Sequence, residues 1–168
     1  WERGFPVGSQ FGNTPFAPPT DAPGDIGRQS YFTGNAAPDS GAGTNDIDGG
    51  TTILTSPVFR ALPQQDSLVV NYQYWFANAS GNGQLNDTMR ISITNGVDTV
   101  VVREYADDSV RIWREDSFLI PEYVTETSTL QLIVSAGDEG EGHLVEAAFD
   151  NFFVTGREIP VSTEVTLA

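Results

Sequence analysis

From Ser67 to Ala77 every second residue is apolar: Leu68, Val70, Tyr72, Tyr74 and Phe76 alternate with Val69, Asn71, Gln73 and Trp75. A period of two is the period of a β-strand with one face against a core, so this segment predicts a strand. Met89, Ile91 and Ile93 repeat the pattern, and Asn95-Gly96 follows as a strong hairpin signal, with Val97 to Tyr105 as the return strand. Further strands are predicted over Thr51 to Leu54, Arg111 to Ile120, Ser128 to Ser135 and Leu144 to Thr155, with Gly156 closing the last. No segment keeps an apolar 3.6 period over three turns. Regular strands joined by turns, without helices, predict an all-β antiparallel sandwich of the jelly-roll, galactose-binding-like kind.

The first fifty residues are different. They hold six of the ten prolines and ten of the seventeen glycines, the composition of long loops. Phe5, Phe11, Phe16, Tyr31 and Phe32 are scattered through them, and aromatics argue for loops pinned to a sandwich rather than a disordered tail. One domain is expected over residues 1–156, with residues 157–168 a linker or the start of a following domain. The lack of a start Met or a leader-like segment suggests a mature or excised piece.

Charge and missing residue types narrow the chemistry. The net charge is −15; all eight basic residues are arginine, set against 23 acids. Such a field repels phosphate backbones, so neither nucleic acid nor an anionic membrane is an expected partner, whereas cations are favoured. No apolar run approaches the roughly 18 residues of a membrane helix. With no cysteine and His143 as the only histidine, disulfides, thiolate zinc sites and multi-histidine metal sites are excluded within the chain. A Ser-His-Asp triad would have to use His143, yet no Gly-x-Ser-x-Gly elbow occurs, and a solvated loop histidine beside an acidic turn is the expectation.

Three features could carry binding. Asn45-Asp46-Ile47-Asp48-Gly49-Gly50 places carboxylates at i and i+2 before a glycine bend, which suits either a hard cation or an Asx-turn. The strand acids Glu2 and Asp150 have aromatic neighbours, and burial there is costly without a partner or a metal; alternatively, Asp150 shares the parity of Glu146 and faces water. Trp75, Trp113 and Tyr123 could stack on sugar rings or could serve core and edge packing.

Several blocks occur in a familiar order: Trp1-Glu2-Arg3-Gly4, Tyr31-Phe32-Thr33-Gly34-Asn35, Asn45 to Thr52 followed by Leu54-Thr55-Ser56-Pro57, and Leu144 to Phe152. They resemble a jelly-roll accessory module of large secreted bacterial proteins, similar more distantly to MAM and choice-of-anchor J domains and to calcium-bearing carbohydrate-binding modules. Trp113, Phe118, Ile120, Pro121 and Gly156 fill further places of that plan. The resemblance implies a structural calcium ion held by Glu2, Asp150 and loop carbonyls between about Asp25 and Asn35, with Asp46 and Asp48 on that ion or a second one. It also implies a secreted or cell-surface, non-catalytic module that binds a polysaccharide or surface glycan or spaces a neighbouring catalytic domain. Calcium-dependent protein–protein adhesion is the alternative, and a polysaccharide-active enzyme a further one.

Overall fold

A computed structural model describes residues 1–37, 40–60, 65–106, 111–125 and 129–158. Two antiparallel sheets face one another. The five-stranded sheet runs β1 (Glu2–Gly4), β4 (Ser30–Phe32), β11 (Leu144–Glu158), β6 (Gln65–Ala79) and β9 (Arg114–Leu119). The four-stranded sheet runs β5 (Gly50–Thr55), β10 (Gln131–Asp138), β7 (Met89–Thr94) and β8 (Thr99–Tyr105). A small hairpin, β2 (Gln10–Phe11) and β3 (Thr14–Pro15), lies apart from both. The all-β antiparallel sandwich expected from the alternation is the fold.

The period-two pattern decides what is buried. Leu68, Val70, Tyr72, Tyr74 and Phe76 of β6 meet Met89, Ile91 and Ile93 of β7 and Leu132, Val134 and Ala136 of β10, all buried between the sheets. At one end the sheets are also bound by polar contacts: Tyr105 donates to Asp116 Oδ2 at 2.6 Å, its hydroxyl lies 2.7 Å from that of Tyr72, and Arg103 Nε reaches Asp116 Oδ2 at 3.1 Å. Asn95-Gly96 forms the hairpin between β7 and β8, with Gly96 at φ 86° and Asn95 Oδ1 accepting from Val97 and Asp98 N–H. The last strand continues to Glu158, two residues past Gly156; residues 159–168 lie outside the described ones.

The outer face of the five-stranded sheet is not open to water along its whole length. The aromatic-bearing N-terminal loops cross it and build a second apolar cluster from Phe16, Phe32, Trp75, Ala77 and Ala148. Phe16 is fully buried, edge-on to Trp75 at 6.1 Å, with the Arg111 guanidinium 4.5 Å from its ring centre. The loops are therefore a third layer on the sandwich.

One irregularity matters for function. Asp150 pairs with Gln73 and Phe153 with Asn71, so Asn151 and Phe152 together oppose the single residue Tyr72. This bulge puts Asn151 at φ 49° and reverses the parity of the strand beyond it. Phe152 and Val154 pack against the main core while Phe153 is 47% exposed.

Candidate metal centre

Thr20 to Asp25 is brought to β11 by two hydrogen bonds, one from β6 and one from the residue just before β9. Gln73, buried on β6, donates through Nε2 to the Pro23 carbonyl at 3.1 Å, and Trp113 Nε1 donates to the Thr20 carbonyl at 2.9 Å. The carboxylates of Asp21, Asp25 and Asp150 then each offer one oxygen, and the three lie within 4.8 Å of one another. Asp25 Oδ1 accepts from the Ile26 N–H at 2.5 Å. Both oxygens of Asp21 and Oδ2 of Asp150 are buried without a hydrogen-bond donor.

Three facing carboxylates with buried, unpartnered oxygens are electrostatically unfavourable by themselves. Burial, with Asp21 and then Asp25 as negative neighbours, pushes Asp150 up to about 7. An all-oxygen donor set of this charge fits a hard divalent cation, which would satisfy the orphaned oxygens and remove the repulsion.

A second acidic group, Asp87, Asp138 and His143, is complete as it stands. His143 Nδ1 lies 2.7 Å from Asp87 Oδ2 and Nε2 lies 2.8 Å from the Asn82 carbonyl. Both ring nitrogens face acceptors, so both carry protons and neither has a lone pair for a metal. The hydrogen bond that His143 donates to Asp87 raises the imidazolium above its ordinary value. Asp87 Oδ1 accepts from Glu139 N–H, and Asp138 accepts from His143 and Gly49 N–H. The expectation of a solvated loop histidine is overturned: His143 is buried and ties the turn after β6 to the turn before β11.

The remaining sequence-predicted acids stay apart. Glu2 is exposed on β1, in register through Phe32 with Ala148, so a whole strand separates it from β11. Asp48 is exposed and Asp46 half-buried. Among the described residues, neither they nor Glu2 join a group of three acids or histidines close enough to share an ion. Asp46 instead faces Glu146, which is only 1% exposed and accepts from Ser9 Oγ at 2.8 and 3.1 Å. Burial is the main cause that pushes Glu146 up to about 7. The parity of Glu146 and Asp150 was legible; the loops covering both were the missing fact. Asp21 was missed altogether, and its signal was Asp21-Ala22-Pro23-Gly24-Asp25, two acids around a turn in the Pro/Gly-rich stretch.

The three candidate aromatics are packed. Trp75 is 2% exposed within the second cluster, so its assignment to a sugar-stacking surface is corrected: the loop carrying Phe16 covers it. Trp113 is half-buried at the edge of the same cluster, its indole N–H committed to Thr20. Tyr123 lies edge-on to Phe118, and its hydroxyl accepts from Arg103 Nη1 at 2.9 Å.

No protein-family model and no curated protein matches the chain. Solved structures similar to it include TmCBM61 in complex with beta-1,4-galactotriose, at 12% identity and TM-score 0.39, covering 78% of this chain and 72% of that one. Another is SGBP-B from a complex xyloglucan utilization locus in Bacteroides uniformis, at 16% identity and TM-score 0.45 over 84% of this chain. The match spans 44% of that second protein's length.

Proposed function

We propose that the chain is a non-catalytic, calcium-stabilised binding module of a secreted multidomain protein, serving glycan or surface attachment beside a neighbouring catalytic domain. The observation that carries the calcium reading is the convergence of Asp21, Asp25 and Asp150 with three buried oxygens that no donor satisfies. Calcium would be held by these three side chains and would supply the positive charge that lets a Pro/Gly-rich loop lie against β11. The order of sequence blocks resembling secreted jelly-roll modules supports the attachment role. Against catalysis, the single histidine is a doubly bonded cation inside a structural network, with no lone pair to act as a base.

Thermal melting in calcium and in EDTA tests the reading. Calcium at a hundred times its dissociation constant stabilises by about 2.7 kcal/mol. For a domain of this size that is a rise of roughly 5–10 °C. The rise should vanish in D150N. A calcium-induced shift below about 2 °C would reject a structural ion.

A further inference from the structure

On the outer face of the five-stranded sheet, beside the N-terminal loop that reaches Gln73, lies a cleft of about 360 Å³. That volume is within the roughly 300–1,000 Å³ usual for small-ligand sites. Its walls are Asn71 and Gln73 of β6, Glu115 and Ser117 of β9, and Asn151 and Phe153 of β11. Asn151 and Phe153 are there because of the bulge: unbroken alternation would have given this face Phe152 instead.

The polar groups are held in place before any ligand arrives. Gln73 is fully committed, donating to Pro23 and to Glu115 Oε1 at 3.1 Å while its own Oε1 accepts from Asn151 Nδ2 at 3.1 Å. That fixes one side of Glu115 and one side of Asn151, of which Glu115 is exposed and Asn151 half-buried. The exposed ring of Phe153 stands beside them. An exposed flat ring, a carboxylate, an amide and a hydroxyl on one wall match a pyranose, which has an apolar face of C–H bonds and a rim of hydroxyls. Among the described residues that line the cleft none is cationic, and the exposed carboxylate of Glu115 faces it, so an anionic sugar is repelled.

We propose that this cleft binds a neutral pyranose chain, stacking one ring on Phe153 and engaging its hydroxyls with Glu115, Ser117 and Asn151. The proposal rests on the reading of the chain as a glycan-attachment module and locates the face that does the attaching.

Calorimetric titration of the calcium-loaded chain tests it. The probes are cellohexaose, mannohexaose, xylohexaose and beta-1,4-galactohexaose, with hexagalacturonate as the anionic counterpart. At least one neutral probe should bind and hexagalacturonate should not. F153A should weaken the neutral probe by about tenfold and E115Q by several-fold, with both variants melting like the parent. A neutral probe that binds both variants with parental affinity overturns the cleft and leaves the glycan reading standing. Stronger binding of hexagalacturonate overturns the charge selection. Binding of no probe removes the glycan reading and the cleft with it. Concentration-dependent self-association lost in F153A would reassign the face to a second copy of the chain.

Discussion

Gln73 and Asp150 stand opposite each other in the pairing of β6 with β11, and their surroundings could hardly differ more. Every polar atom of the Gln73 side chain has a partner, whereas Asp150 Oδ2 is buried with none. The amide organises its neighbourhood; the carboxylate leaves its own incomplete.

That incompleteness has a pH signature. Asp150 lies well above the ordinary carboxylate range, at about 7. A raised folded value means the neutral form is favoured in the fold, so stability is full below about pH 4 and is lost as the pH rises toward 7. In EDTA the melting temperature should fall across that window, and calcium excess should flatten the fall. D150N in EDTA should show a smaller decline than the parent; an equal decline would place the effect elsewhere.

Glu146 offers a separate check, because its oxygens are satisfied by Ser9 yet its charge is buried. At pH 8, E146Q keeps an acceptor for Ser9 and removes the buried charge. It should be more stable than the parent by on the order of 1–3 kcal/mol in urea unfolding, with the gain gone at pH 5. S9A leaves the carboxylate with fewer donors and should cost about 1–3 kcal/mol.

His143 also has a raised value, held by Asp87. Its contribution is present in full below about pH 6.5 and disappears as the pH climbs through the folded value. In calcium, the gap in melting temperature between the parent and H143Q should therefore narrow from pH 6 to pH 9. A gap independent of pH would show that the ring acts by shape alone.

Gly81 tests the same junction by packing. Its φ is 90°, and a Cβ there would run into the Gly142 carbonyl and come within 2.8 Å of the His143 Cα. G81A should destabilise by more than about 2 kcal/mol, since both collisions are with backbone that cannot swing aside.

The third layer can be removed without touching the sandwich core. F16A empties a fully buried site under the loop and should cost about 3–5 kcal/mol. Limited proteolysis should then cut the first 40 residues before β6, and tryptophan fluorescence should shift to the red as Trp75 meets water.

The strands were legible because their signal is local. Alternation from Leu68 to Phe76 places each side chain without knowledge of any partner, and Asn95-Gly96 announces its own turn. What covers the outer face is a long-range fact. Whether Trp75, Glu146 and Asp150 meet water depends on where Phe16, Ser9 and Asp21 dock, and no period in the loop encodes that. His143 failed for the same reason: its acidic neighbours in sequence suggested solvent, while Asp87, 56 residues away, supplies the contact that buries it. The bulge was hidden too, since Phe149-Asp150-Asn151-Phe152-Phe153 reads equally well in either frame.

That extra residue in β11 acts as a half-period phase shift written into the chain. Upstream of Asn151, even-numbered positions look outward; downstream, odd-numbered positions do. Straightening the strand with Asn151 still in place would exchange inside for outside over everything that follows, sending Phe153 into the core and Phe152 into the water. Deleting Asn151 would instead remove the bulge and leave Phe152 inside and Phe153 outside, so the insertion and its bulge cancel one another.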